Sequence, residues 1–331
     1  MEFITGLKQQ EEAELEDLLK AEEGTTIILE GAVHSVRDMG DIAFVILRKR
    51  EGLIQTVWEE GKTDMELSEI REGDYIHVTG QIKDEERAPH GKEVRLSTIR
   101  HLSHVSCPLP LPIDKWKLNT SLEAKLDRRS LSLRNIRERA RFRIQEGIVR
   151  GFRDFLYEQG FTEIHTPKIG AKSAEAGPVF RAEKHNTRRH LNEYTSLDFE
   201  MGYIHSFLDI CAMETGFLQY TMNLLEKEYS KELKLLNITL PDVEKIPYVR
   251  FDEAKRLVSE KYNRKIRNPF DLEPEEEELI GKYFKEEYNA DFVFVTHYPS
   301  KKRPFYAMDD PEDTRYTLSF DLLYHGLEIT T

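Results

Sequence analysis

The densest polar stretch of the chain is GPVFRAEKHNTRRHLNEYTSLDFEMGYI, from Gly177 to Ile204. Two segments with strand character flank a loop carrying Lys184, His185, Arg188, Arg189 and His190. Period-two alternation along the second segment puts Tyr194, Ser196, Asp198 and Glu200 on one face, and Thr195, Leu197, Phe199 and Met201 on the other. In the first segment Arg181 and Glu183 alternate with Phe180 and Ala182. A polar strand face beside a cationic loop makes a wet pocket suited to an anion. The plainer alternative is a solvated hairpin, but the apolar opposite face needs a core to pack on and favours the pocket. Common nucleotide and hydrolase signatures are absent. Gly61-Lys62-Thr63 has Thr56 where a phosphate-binding loop needs its first glycine, and no G-x-G-x-x-G follows a strand. Neither H-E-x-x-H nor G-x-S-x-G occurs, so zinc hydrolysis and the common serine elbow have no support.

The elements that would position this segment fall into two groups. Runs with strand character at Thr25–Val36, Ile42–Arg48, Leu53–Trp58, Tyr75–Ile82 and Glu93–Val105, with a short helix at Thr63–Ile70 between the third and fourth, follow the order of an OB-fold barrel. Such barrels often hold single-stranded nucleic acid, although an unliganded β-barrel would show the same pattern. An acidic helix over Lys8–Glu22 precedes them. The stretch CPLPLPIDKWKLN, with three prolines between Cys107 and Pro112, cannot continue a sheet and reads as a linker. Beyond Ser132 the period becomes helical: Ile136, Ala140, Ile144, Ile148, Phe152 and Phe155 form one apolar stripe, with Gly160 as its cap. Strand-like segments at Phe161–Ile169, Pro178–Glu183, Glu193–Tyr203, Asp291–His297 and Thr317–Ile329 alternate with helices at Phe207–Leu235, Asp252–Tyr262 and Glu273–Tyr288. The expectation is an α+β protein: a barrel domain over 1–106, a linker over 107–131, and a largely antiparallel-sheet domain over 132–331.

Bulk properties agree. At roughly 100 to 200 residues per domain, 331 residues suit two or three domains. The 39% apolar content is too high for a disordered chain, and no stretch approaches the ~18 to 20 apolar residues of a membrane helix. The opening MEFITGLKQQEEAELEDLL is acidic and amphipathic, unlike a signal or transit peptide. Cys107 and Cys211 are isolated, which points to a reducing compartment and a cytoplasmic protein. The net charge of −13 weighs against non-specific coating of nucleic acid while leaving room for a local basic face.

The segment FRAEKHNTRRHLNEYTSLDFEMG, with GFTEIHTPKI before it, resembles motifs two and one of the class II aminoacyl-tRNA synthetases, and in detail the aspartyl-tRNA synthetases of archaeal and eukaryotic type. GAVHSVRDMGDIAFVILR is similar to the family's OB-fold anticodon-binding domain, and RPFYAM with SFDLLYHGLEITT to the sheet before its third motif. The resemblance implies a class II antiparallel catalytic domain that uses ATP and Mg²⁺ to activate L-aspartate and then charges tRNA. Arg181 would touch the ATP α-phosphate and the aspartate carboxylate, a role that suits a planar, permanently charged donor fork. Glu183 would meet the adenine end, and Arg189, His190 and Leu191 the bent triphosphate. Glu328, with Thr331, would hold Mg²⁺ through hard oxygen ligands; taken by itself Glu328 reads as an exposed strand carboxylate. Glu175 and Thr331 would complete the aspartate site. Attack of the substrate carboxylate on ATP needs positioning and charge stabilisation, with no covalent enzyme nucleophile. The family implies a homodimer, here through the Phe161–Ile169 region.

For the anticodon, stacking and edge readout nominate His34, Arg37, Phe44 and Trp58, with barrel core as the alternative for Phe44 and Trp58 and the stronger one for Phe44. Ala32 stands where many family members have tryptophan, and His34 with Pro89 resembles variants that also accept asparagine tRNA. Two parts of the pattern are missing. KSAEA runs directly into GPVFRAE, without the Q-S-P-Q-x-Y-K segment whose lysine selects the aspartate side chain. The arginines of and before motif three do not occur before Thr331. The expectation is that these 331 residues join ordered segments of a longer chain; taken alone they would not make adenylate at a normal rate. The competing readings are an inactive synthetase paralogue that binds tRNA or regulates, and an adenylating relative acting on a free amino acid, which would lack the barrel.

Overall fold

The computed structural model describes residue 6 and residues 12–164, 177–180 and 193–330, the stretch 177–180 in its backbone alone. These form two compact units, 1–139 and 140–331.

In the first unit a short helix, α1 (Leu15–Lys20), precedes five strands: β1 (Thr26–Asp38), β2 (Ile42–Arg48), β3 (Leu53–Glu59), β4 (Tyr75–Asp84) and β5 (Lys92–Ser103). They close into a barrel in the order β1-β2-β3-β5-β4, with one parallel pairing, β3 on β5. Closure follows from alternation. Ala43, Val45 and Leu47 of β2 are fully buried and join Leu29, Val33, Ile76 and Val78 in one core. Phe44 lies on the opposite, outward face of β2 and is only half-buried, so the core reading fails for it. The acidic helix is confined to α1 among the described residues, and the helix expected over Thr63–Ile70 is a single 3-10 turn, Leu67–Glu69. That turn still covers the barrel end, with Leu67 and Met65 packed on the core. The proline-rich stretch packs as well: Leu111, Ile113 and Leu118 form a small core, followed by α2 (Leu122–Asp127) and α3 (Arg129–Ser132).

The apolar stripe from Ile136 becomes α4 (Ile136–Glu158), and Gly160, with φ +80°, ends it as expected. Asn135 starts it, its Oδ1 accepting from the backbone N–H groups of Arg137 and Glu138. Next come β6 (Gly177–Phe180) and β7 (Glu193–Ser196), paired antiparallel. The strand expected over Glu193–Tyr203 therefore stops at Ser196. Of the strand expected over Phe161–Ile169, residues 161–164 are irregular and the rest lie outside the described residues. Then follow α5 (Leu208–Glu228), α6 (Ser230–Leu236), β8 (Tyr248–Arg250), α7 (Phe251–Tyr262), α8 (Pro274–Tyr288), β9 (Phe292–Thr296), β10 (Phe320–Tyr324) and β11 (Leu327–Thr330). The single strand expected over Thr317–Ile329 is two, turned at His325 and Gly326, both with positive φ.

The sheet order is β11-β10-β9-β8, antiparallel except for β8 beside β9. The core strands β9 and β10 bury both faces. Val293, Val295 and Leu323 meet α7 and α8, while Phe292, Phe294 and Leu322 meet Cys211 and Leu218 of α5. At one point helix and turn touch backbone to backbone: a Cβ on Gly281 of α8 would lie 2.3 Å from the Gly326 nitrogen. Glycine is needed there for close approach.

Candidate functional site

On the barrel, β1 and β2 present the anticodon candidates. Arg37 and Phe44 are directly paired across the ladder, so both point outward; Arg37 is exposed and Phe44 half-exposed. A guanidinium beside an accessible ring is what stacking on a base and contact with its phosphate require. Trp58 is different: it is 5% exposed, packs in the barrel core and donates its indole N–H to the Met65 carbonyl at 2.7 Å. It has no free ring face, so it is a core residue and not a stacking platform. Pro89 is exposed and opens the tight turn Pro89–Gly91 between β4 and β5.

His34 sits at a register slip in β1, between Val33, opposite Leu47, and Ser35, opposite Ile46. It is 5% exposed, and its Nδ1 has no hydrogen-bond partner. Burial, and then the charge of Arg48, hold its pKa below the ordinary histidine value, so it is neutral near pH 7. Arg48 itself was not foreseen. Burial first, then Arg134 and Arg139, lower its pKa to about 10, and its buried Nη1 is unpartnered. It lines a polar groove of about 720 Å³ with Arg134, Tyr75 and Ser103. Period two puts Arg48 on the outward face of β2 with Phe44, so alternation gives no signal of a buried guanidinium there.

In the second unit the β6–β7 hairpin pairs Gly177 with Ser196 and Phe180 with Glu193. Glu175, Arg181, Glu183, Arg189, His190, Leu191 and Thr331 all lie outside the described residues. Beyond the hairpin the predicted alternation survives without a ladder. Leu197 and Phe199 pack against Phe152 and Phe155 of α4, while Ser196 Oγ donates to the Asp198 carboxylate at 3.1 Å. Thr195, expected on the core face, is exposed and accepts a hydrogen bond from Gln145 of α4 at 3.1 Å.

Glu328 stands exposed on β11, at the edge of the sheet. Two residues on, Thr330 Oγ1 donates to Glu214 Oε1 of α5 at 2.5 Å. Glu214 is 5% exposed, and burial pushes its pKa up to about 7. Pattern reading passes over a lone glutamate in an amphipathic helix, and only the packed structure identifies it. Across the same sheet, buried Asp321 of β10 accepts from Arg303 at 2.5 Å, and Arg303 lies 4.0 Å over the Tyr298 ring. This pair fixes the chain that leads to the exposed Phe305 and Tyr306. Among the described residues no helix is long and apolar enough to cross a membrane.

Comparison with known proteins covers both units. The model of class II tRNA synthetases for aspartate, lysine and asparagine matches residues 121–178 and 172–331, and that of the OB-fold nucleic acid binding domain matches 27–102. A relative named aspartate–tRNA(Asp/Asn) ligase, from Deinococcus radiodurans, is 36% identical over 95% of this chain and 80% of its own. One named aspartate–tRNA(Asp) ligase, from Pyrococcus abyssi, is 32% identical over 93% of this chain and 80% of its own. The Deinococcus alignment runs over 356 positions, more than the 331 residues of this chain, so that relative carries residues with no counterpart here. The solved aspartyl-tRNA synthetase of Entamoeba histolytica superposes with a TM-score of 0.86 at 28% identity, covering 98% of this chain and 78% of its own.

Proposed function

Since this chain belongs to the class II tRNA synthetases of the aspartate, lysine and asparagine group, we propose that it is an aspartate–tRNA ligase that also accepts asparagine tRNA. The observation that carries the reading is similarity across both units at once, barrel and catalytic sheet, to enzymes named for aspartate and for both tRNAs. ATP, L-aspartate and tRNA are its substrates. Mg²⁺, when bound, neutralises phosphate charge; the exposed Glu328 carboxylate would supply a hard oxygen of the type it takes, with Thr331, three residues on, as the second ligand.

The chain's own residues then have these roles. Arg181 binds the α-phosphate and the aspartate carboxylate together, which holds the attacking oxygen in line and stabilises the negative charge that builds on the α-phosphate oxygens. Glu183 orients the adenine, and Arg189, His190 and Leu191 line the bent triphosphate. Glu175 receives the substrate's ammonium group. Arg37 and Phe44 take an anticodon phosphate and base, and His34 and Pro89 set tolerance for the two tRNAs. We place the barrel in 1–106, the linker in 107–131 and the catalytic domain in 132–331, and read the enzyme as a cytoplasmic homodimer.

The test is aspartate-dependent ATP–pyrophosphate exchange on protein whose intact mass is checked against 38.8 kDa. Exchange that is lost in Arg181→Ala while tRNA binding persists supports the reading. Absence of exchange from a chain that carries the internal Q-S-P-Q-x-Y-K segment and motif three would refute it and leave the barrel as a tRNA-binding module.

A further inference from the structure

Asp74, His101 and His104 meet on the rim of the barrel, where β5 ends. Asp74 is fully buried, His101 three-quarters buried and His104 half-exposed, and one ligand atom from each lies within 4.8 Å of the others. Asp74 Oδ1 is 3.1 Å from His104 Nδ1, and Oδ2 is 3.6 Å from His101 Nδ1. Ligands bound tetrahedrally to Zn²⁺ at about 2.0 to 2.1 Å are roughly 3.3 Å apart, and these two contacts, each to a different oxygen of the carboxylate, lie on either side of that value. The carboxylate is preoriented, since Oδ2 accepts from the Arg71 backbone N–H and Oδ1 from that of Val105, both at 2.8 Å. Each oxygen keeps a further lone pair.

Two features set this cluster apart from an ordinary turn cap. First, His101 Nδ1 is buried and has no hydrogen-bond partner. A capped turn needs Asp74 alone and leaves that nitrogen unexplained. Second, the β4–β5 register slips here: Tyr75 pairs with Ser103 but Ile76 with His101, leaving Leu102 as an extra residue. A bulge re-aims side chains, and this one brings residues 101 and 104 onto one carboxylate, with their rings edge to face at 5.1 Å.

We propose that Asp74, His101 and His104 form a binding site for a divalent transition-metal ion of the Zn²⁺ class, with water as the remaining ligand. Two imidazoles and a carboxylate suit such an ion and suit Mg²⁺ poorly. The site clips the chain that leaves the barrel, from Ser103 to Val105, onto the turn that opens β4.

The experiment uses the full chain, stripped with chelator and titrated with ZnCl2 or CoCl2 in excess Mg²⁺, which occupies hard oxygen sites. One equivalent of Zn²⁺ should bind at micromolar concentration or tighter, raise the melting temperature by mass action, and give intense visible Co²⁺ bands of a tetrahedral site. H104Q, at the half-exposed position, and H101A should each weaken binding roughly tenfold or more, while C107S leaves it unchanged. Binding at millimolar Zn²⁺ only, a Co²⁺ spectrum with a thiolate charge-transfer band, or equal binding by the histidine variants would overturn the site. If H101A fails to fold, H104Q alone decides.

Discussion

The buried carboxyl of Glu214 makes stability depend on pH in a direction opposite to that of most acidic residues. Its folded pKa is about 7 against an ordinary 4.5, chiefly because burial disfavours the charged form. Between about pH 4.5 and 7 the folded state keeps a proton that the unfolded state has lost, so stability falls as pH rises through that window. A difference of that size amounts to about 3 kcal/mol above pH 7, at 1.36 kcal/mol for each pKa unit. In Glu214→Gln the side chain is always neutral and Oε1 still accepts from Thr330 Oγ1. The variant should therefore match the parent at pH 5, apart from a constant offset for its new N–H donors, and gain on it by about 3 kcal/mol by pH 8.5. Urea unfolding should be followed by circular dichroism, because both tryptophans, Trp58 and Trp116, lie in the first unit and report on the barrel. The slope of the difference between pH 5 and 8.5 is diagnostic, and the offset is not. Parallel pH profiles for the two proteins would refute the assignment, and a parent that becomes relatively more stable at high pH would reverse its sign.

Other perturbations test the remaining parts. Phe44→Ala should weaken tRNA binding by about 1 to 3 kcal/mol with the barrel intact, whereas Trp58→Ala should lower barrel stability by about 3 to 5 kcal/mol; equal melting temperatures for the two would contradict their assigned faces. Arg37→Ala should reduce the slope of log affinity against log salt by about one, measured by tRNA titration at several ionic strengths. Glu276→Ala removes the fully buried partner of Lys255, held at 2.5 Å, and should cost about 3 to 5 kcal/mol by urea unfolding, because the ammonium stays buried. Gly281→Ala sets a methyl against the backbone of the β10–β11 turn and should destabilise the second unit by about 1 to 3 kcal/mol in the same assay.

Both units were legible because each repeats one period long enough to read. Five alternating runs with a gap before the fourth gave the barrel, and the stripe from Ile136 to Phe155 with Gly160 gave α4 within two residues. Where the pattern was short, local rules lost to packing. Thr63–Ile70 has helical spacing but needs only one turn to cover the barrel end. Glu193–Tyr203 alternates throughout, yet its ladder lasts four residues, since its partner β6 is itself four residues long. Phe44 and Trp58 show the limit for single residues: an aromatic in a strand is legible as amphipathic, but the face it takes depends on phase. The phase of β2 is set by Ala43, Val45 and Leu47, all fully buried.

Phase is lost wherever the ladder slips, and three of the four slips fall beside side chains to which a role is proposed above. His34 is the extra residue in β1, Leu102 the extra residue between His101 and the end of β5, and Ile329 the extra residue between Glu328 and Thr330. In each case a bulge gives adjacent polar residues directions that strict alternation forbids. Without the slip at Ile329, Glu328 and Thr330 would share a face; with it, Thr330 pairs with Leu322 and reaches Glu214, while Glu328 pairs with Leu323 and stays exposed. A sequence read at period two assigns such residues to the wrong side by construction. A fourth slip, leaving Ser97 extra opposite Thr79 and Gly80, tests whether bulges in this chain always serve chemistry. There the second feature is steric: a Cβ on Gly80 would lie 2.4 Å from the Arg95 carbonyl oxygen. That bulge serves barrel closure, so a slip in register marks a place where direction is set by something other than alternation, and the neighbouring side chains must say what that is.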